Sequence, residues 1–403
     1  MVKTSERTTD KVCERDSYVE SFSATVLGCK AAEDEEHKGL FEVVLDLTAF
    51  FPEGGGQKSD TGYIDDAFIS DVQERDGEII HYSNKAFREG STVAGSIDFE
   101  KRYYRMQCHT AEHLLCGLIH NAYGYENVGF HLTDDEVTFD VDGSLSKEEV
   151  AEIEERANLA VYDNLEVKIS FPAPEELAFL TYRSKLDLTE NVRLVEIEGI
   201  DICACCAPHV NRTGEIGIIK ITSFAPHRGG TRFTMVAGYR AYMDYVCLDN
   251  AGRRIMALLS AKRLETADKT EELIAKCNQL LSENVALKRE MTEMKRREVL
   301  AGLSEKEDGK PVLIFSETFD DVQMRELINS CTEKTDDIVA GFMKTDKGYR
   351  YIISRKNQEA EPKLPMLAKD INAALSGRGG GSLQMIMGSV AGSEEDIRKF
   401  WER

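Results

Sequence analysis

The chain has 403 residues, 42% of them hydrophobic and 30% charged, a composition of soluble globular proteins and a length that calls for more than one core. A formal charge of −22 weighs against a surface that is basic throughout, since phosphate neutralisation needs lysine and arginine, although a local basic face can hide within that sum. No apolar run nears about 18 residues and MVKTSERTTDKVCERD has no apolar signal core, so membrane spans and secretion are excluded, the cytoplasm is expected, and the ten cysteines read as reduced thiols or metal ligands.

From Ser17 to Asp98 the pattern is mostly strand: VVLDLTAFF, GYIDDAFISDV and GEIIHY are rich in β-formers and separated by turns. Short strands without an intervening helix predict a small β-barrel or sandwich over residues 1–100. Between them lies FPEGGGQ, Phe51 to Gln57. It is no nucleotide P-loop, because no Gly-Lys-Ser/Thr follows and both flanks are strands. Three glycines permit close backbone approach, and Gln57 can both donate and accept hydrogen bonds.

The texture changes at Lys101. YYRMQCHTAEHLLCGLIHNAYG reads as a helix ending at Gly124, and SKEEVAEIEERANLAVYDN as a second helix with a serine cap. FHLTDDEVTFDVDG, RLVEIEGID, GEIGIIKITSF and TRFTMVAGY read as strands, which makes residues 101–245 an α+β domain. Glycine and proline then almost vanish over Tyr245–Leu303, predicting a helical linker at 246–305, extended or folded back as a hairpin. Leu273, Cys277, Leu280, Asn284, Leu287, Met291 and Met294 recur there at alternating spacings of four and three. This is a short a/d seam through residues 273–294, readable as a homodimeric coiled coil or as a helix packed on its own chain. After EKEDGKP, strands VLIFSE, IVAGFMKT and YRYIISR interleave with helical ETFDDVQMRELINSC and PMLAKDINAAL, an α/β domain at 306–403.

The chemistry concentrates in two short stretches. His109-Thr-Ala-Glu-His113 puts two imidazoles one helical turn apart, the spacing for shared metal coordination. It is not HExxH, so the metalloprotease base is missing. Cys205-Cys-Ala-Pro-His209 supplies a second pair at the same spacing, and a Cys/His₃ tetrad is a sensible zinc site. His120 cannot share an ion with His109, lying about 16 Å along the helix axis. Spacing favours Cys205 over Cys203 and Cys206, which remain open as alternative ligands or buried thiols. Near the C-terminus, Gly377, Arg378, Gly379, Gly380 and Gly381 read either as a helix-ending turn or as a concave anion site for phosphate or RNA.

Taken in order, LTAFFPEGGGQKSDTG, HTAEH, CCAPHVNRTGEIG and SGRGGG resemble alanyl-tRNA editing proteins of the AlaX type, free-standing relatives of the editing half of alanyl-tRNA synthetase. The resemblance covers nearly everything after residue 12. It implies a translation-protein-type barrel, a zinc editing domain and a C-terminal DHHA1 or C-Ala domain that holds tRNA. It further implies a hydrolase that removes serine, and perhaps glycine, from mischarged tRNA for alanine. His109, His113, Cys205 and His209 fall on the family's zinc ligands, while Thr48 and Gln57 fall near its amino-acid pocket. Thr48 would pair with the substrate hydroxyl, and Gln57 or the loop amides would stabilise developing negative charge. No aminoacylation domain precedes the barrel, so tRNA charging is not expected. Two departures stand out: CCAPH replaces the synthetase-like CGGTH, and neither an Asp-His-His motif nor a histidine directly after the last glycines is present.

Overall fold

The computed structural model describes residues 9–134, 136–184, 192–303 and 309–402. The chain divides into two compact units between Arg254 and Ile255. The architecture is mixed α/β and multidomain, as expected. The boundary expected at 306 lies outside the described residues.

In the first unit six strands form a ring. In order around it they are Ser21–Ala31, Phe41–Leu45, Glu78–Ser83, Ala67–Arg75, Gly62–Ile64 and Thr92–Ile97, and the last pairs back onto the first. All pairs are antiparallel, and closure leaves no free edge. Alternate residues point inward, so Thr92–Ile97 is exposed and buried by turns. Val26, Val43, Leu45, Phe50, Ile64 and Ile69 fill the interior.

Helix α1 (Phe99–Tyr123) leaves the ring directly. Asp98 caps its first turn and Gly124, at φ 72°, ends it in the left-handed region. Arg102, fully buried on α1, ties it back: it pairs with Asp60 and donates to the carbonyls of Ser17 and Ala49. A four-stranded antiparallel sheet, ordered Ile219–His227, Gly230–Ala237, Val137–Val141, Asn127–Leu132, shares a core with α1 and with α2 (Lys147–Asp163), which opens on a Ser146/Glu149 capping box. A three-stranded sheet, Val167–Ser170, Leu194–Ile197, Asp201–Ala204, meets the single-turn α3 (Pro174–Leu177) where Leu194 packs with Leu177, and delivers the chain to Cys205.

The helical linker expected at 246–305 consists, among the described residues, of α4 (Gly238–Leu259) and α5 (Thr266–Leu303). Ser260, at φ 52°, breaks them: Ala261 N–H bonds Met256 O at 3.0 Å and Ser260 N–H bonds Ala257 O at 3.4 Å, a Schellman closure that needs no glycine. Along α5, Leu273, Leu280, Leu287 and Met294 are each at least half exposed. In the second unit a five-stranded sheet, Val312–Ser316, Val339–Thr345, Gly348–Ser354, Met385–Val390, Arg378–Gly381, packs with α6 (Asp321–Thr332), α7 (Leu364–Ala374) and α8 (Glu394–Trp401). Among the described residues no helix is long and apolar enough to cross a membrane.

Candidate metal centre

FPEGGGQ closes on itself and then docks. Gly54 and Gln57 exchange backbone hydrogen bonds, and Leu132 N–H donates to Gly56 O at 2.8 Å. A Cβ on Gly56, whose φ is 84°, would stand 2.3 Å from Phe130 O. The close approach that these glycines permit is therefore to the chain's own strand Asn127–Leu132. Docking carries Gln57, 1% exposed, under α1, where its Oε1 meets His109 Nδ1 at 2.8 Å.

His109 and His113 project from one face of α1, and Cys205 and His209 come from the segment after Asp201–Ala204. One ligand atom from each of the four lies within 4.8 Å of the others. Cys205 Sγ is 3.6 Å from His109 Nε2 and 3.4 Å from His209 Nε2. Cys203 does not join this set; with His113 and Asp201 it makes a second, smaller group. Cys206 is exposed.

Partners behind the rings settle which nitrogens face inward. Gln57 Oε1 can only accept, so His109 carries its proton on Nδ1. Thr110 Oγ1 donates to Met106 O at 2.8 Å and must accept from His209 Nδ1, 3.0 Å away. His113 Nδ1 lies 3.4 Å from Asp201 Oδ2, and Asp201 is gripped by Arg183 at 2.7 and 2.8 Å. In His109 and His209 the Nε2 lone pair is thereby turned toward Cys205, the arrangement that metal-binding histidines adopt. Arg193 fixes the other half: its Nη1 donates to Cys205 O at 2.7 Å and Ala207 O at 2.9 Å.

The electrostatics favour a thiolate at the centre. Burial alone would raise the Cys205 thiol, yet the His109 and His209 rings and hydrogen bonds from His109 and His113 hold it well below its ordinary value. Burial lowers His209 to about 3 against the pull of Cys205. Burial would raise Asp201, but His113 and Arg183 bring it down to about 2. A Cys205 thiolate with three imidazoles gathered around it is a donor set that could hold a metal ion.

His109, His113 and Cys205 line a cavity of about 570 Å³ together with Gly55, Glu112, Asn127, Phe130, Arg183 and Arg193, while His209 lies buried behind it. Two residues expected near the amino-acid pocket stand away from the wall of this cavity. Thr48 is fully buried beside the barrel interior, with its hydroxyl 2.8 Å from His81 Nε2 and accepting from Phe50 N–H, and it does not line the cavity. Gln57 does not line it either, because its amide oxygen is spent on His109. The run Gly377–Gly381 is neither a turn nor a nest. Arg378–Gly381 is an exposed edge strand antiparallel to Met385–Val390, and a Cβ on Gly379 would meet Met387 O at 2.4 Å and the Tyr351 hydroxyl at 2.7 Å. Arg378 does line a separate cavity of about 750 Å³ with Lys347 and Arg350. Thr110, Asp201 and Arg193 were not singled out from sequence. Asp201 alone carried a signal, as an acid between Ile200 and Ile202; Thr110 and Arg193 stand among other polar residues.

Comparison with known proteins adds to this geometry. Residues 192–233 match the threonyl and alanyl tRNA synthetase second additional domain, and residues 3–101 match the class II (A) tRNA synthetases. The alanyl-tRNA editing protein AlaX-L of Pyrococcus horikoshii is 27% identical over 400 residues, 96% of each chain. Alanyl-tRNA editing protein Aarsd1 of Rattus norvegicus is 33% identical over 52% of this chain and 54% of its own. The alanine–tRNA ligase of Halobacterium salinarum is 38% identical over 56% of this chain, which spans only 26% of that enzyme. The C-Ala domain of Aquifex aeolicus alanyl-tRNA synthetase aligns with 24% of this chain and 94% of its own at 16% identity and a TM-score of 0.22.

Proposed function

The chain belongs to the alanyl-tRNA editing proteins of the AlaX type, and we propose that it is a trans-acting hydrolase that removes serine, and glycine, from mischarged tRNA for alanine, with zinc held by His109, His113, Cys205 and His209. The observation that carries this reading is the convergence of those four side chains, three of which, His109, His113 and Cys205, line a cavity. Their spacing fits zinc. Bond lengths of about 2.3 Å to sulfur and about 2.05 Å to nitrogen, at tetrahedral angles, separate the two ligand atoms by about 3.6 Å. The Cys205 to His109 and His209 separations are 3.6 and 3.4 Å.

When bound, zinc supplies a Lewis-acidic centre beside the ester. The chain's own residues do the rest. Gln57, Thr110 and Asp201 hold the three rings in register, and Arg193 pins the Cys205–His209 segment to them. Phe130, packed 4.6 Å from the His109 ring, shields the centre from bulk water. In this reading the six-stranded ring is the translation-type barrel and residues 306–403 are the tRNA-holding domain. The exposed α5 stripe at 273–294 supports self-association, read out as a dimer in sedimentation.

The test is a deacylation panel with purified, zinc-loaded chain. Release of serine from seryl-tRNA for alanine, but not of alanine from the cognate ester, is expected. Because four protein ligands fill a tetrahedron, a second reading is a tRNA-binding module with structural zinc. Binding of an ester that stays intact supports that reading and sinks the hydrolase. The domain shared with threonyl enzymes motivates a parallel arm with seryl-tRNA for threonine, and hydrolysis there alone would reassign the substrate.

A further inference from the structure

Three carboxylates line the cavity: Glu14, Glu112 and Glu126. Glu14 is paired with Lys11 at 2.7 Å, and Glu126 faces His120 at 3.1 Å; both are partly open to water. Glu112 is different. Only 3% exposed, it stands on α1 between the two histidine positions, with no lysine or arginine paired to it among the described residues. Its Oε1 accepts from Asn127 Nδ2 and from the Cys116 thiol, which holds the side chain in one pose. Its Oε2 accepts no hydrogen bond from the described residues and lies 4.0 Å from His113 Nε2. That imidazole is the basic side chain beside Oε2, but it donates no hydrogen bond to it, and a buried carboxylate oxygen left without a donor is costly unless a cation carrying N–H groups arrives to pair with it.

Every aminoacyl ester brings such a cation, its α-ammonium. We propose that Glu112 is the receptor for that ammonium, through Oε2. The inference rests on the aminoacyl-ester reading given above. Its geometry is consistent with reaction at the histidine cluster. The α-nitrogen and the ester carbon of an amino acid are about 2.5 Å apart across one tetrahedral carbon. With an N–H···O contact of about 2.9 Å, the ester carbon stands roughly 4–5 Å from Oε2, abreast of His113. An acyl group whose nitrogen is blocked, as in a peptidyl ester, brings no charge to Glu112 and an added carbonyl into a closed corner. The cavity thereby selects free amino acids on the ester, independently of which side chain they carry.

The experiment uses the full-length, zinc-loaded chain and two non-hydrolysable probes, 3′-seryl-amido-3′-deoxyadenosine and its counterpart lacking the α-amino group. Calorimetry should find the seryl probe bound about 30-fold more tightly by the wild type, the scale of a hydrogen bond to a charged group. In Glu112→Gln, which keeps the acceptor for Asn127 and Cys116, that ratio should fall to within about 3-fold, while Glu112→Asp retains part of it. Zinc content equal to wild type checks that each variant keeps its centre. Deacylation should follow suit, with the preference for seryl- over N-acetylseryl-tRNA collapsing in Glu112→Gln. Equal wild-type affinity for the two probes overturns the proposal, as does a Glu112→Gln variant that weakens both equally. A wild type that prefers the seryl probe yet leaves seryl-tRNA intact upholds Glu112 as the receptor and sinks the hydrolase reading instead.

Discussion

Replacing Gln57 with leucine tests whether that residue orients a metal ligand or touches substrate. Leucine fills a similar volume but removes the Oε1 that accepts from His109 Nδ1 at 2.8 Å. The Nδ1–H is buried with a residue 3% exposed and finds no replacement acceptor, at a cost of about 1–3 kcal/mol. His109 can escape the penalty by moving its proton to Nε2 or by turning its ring, and either removes the lone pair from the centre. Losing such a partner weakens metal binding by about 10–100-fold, equivalent to about 1.4–2.8 kcal/mol and within the same range. The assay is competition for zinc against a chromophoric chelator at neutral pH, followed by deacylation at saturating zinc. Gln57→Leu should bind zinc about 10–100-fold more weakly and recover much of its activity when zinc is in excess. Gln57→Glu, which keeps an acceptor, should stay near wild type in affinity. Unchanged zinc affinity with activity lost at every zinc concentration would refute the reasoning and place Gln57 on the substrate.

Thr48→Val should leave the seryl-to-alanyl discrimination intact while lowering urea stability by about 1–3 kcal/mol, because Phe50 N–H and His81 Nε2 both lose their partner. A changed amino-acid preference would return Thr48 to the pocket. His81, lowered to about 4 by burial, gives the barrel an acid-sensitive limb. An unfolded histidine binds its proton near pH 6.5, so stability is full above that value and falls by up to roughly 3 kcal/mol as pH drops toward 4. His81→Asn should flatten this limb in pH-dependent urea titrations, and an unaltered slope would count against it. Gly56→Ala should cost at least about 1–2 kcal/mol from its positive φ alone, and more from the contact with Phe130 O, whereas Gly380→Ala, with open space around it, should stay within about 0.5 kcal/mol. Equal urea midpoints for the two would contradict the docking of the GGGQ loop.

Much of the site was legible in the chain because its ligands are local pairs. An i, i+4 spacing on a helix puts His109 and His113 on one face whatever the helix packs against, and CxxxH keeps Cys205 and His209 within one short segment. The serine cap of α2 and the glycine end of α1 were equally local, since each is satisfied by backbone within one turn. The break at Ser260 escaped notice because its hydrogen bonds are made by backbone alone, with no glycine or proline to mark them.

Three assignments depended on which distant segments meet, and no spacing in the sequence encodes that. The glycines of FPEGGGQ announced a close approach, but only the pairing with Asn127–Leu132 revealed that the chain itself approaches there, which sets Gln57 Oε1 against His109. The run Gly377–Gly381 carried the same ambiguity and resolved into an edge strand pressed against Met387 and Tyr351. Thr48 looked poised for a hydroxyl, and its own meets His81 of strand Glu78–Ser83, because Leu47–Thr48 pairs with Asp10–Lys11 outside the ring and lies across from that strand. By itself the sequence determined the two candidate ligand pairs and the helix that carries one of them, since each is set within a turn or two of backbone. The tertiary structure alone decided which polar groups are already satisfied and which, like Glu112, are left facing the cavity, because a hydrogen bond across the fold depends on where the whole chain packs.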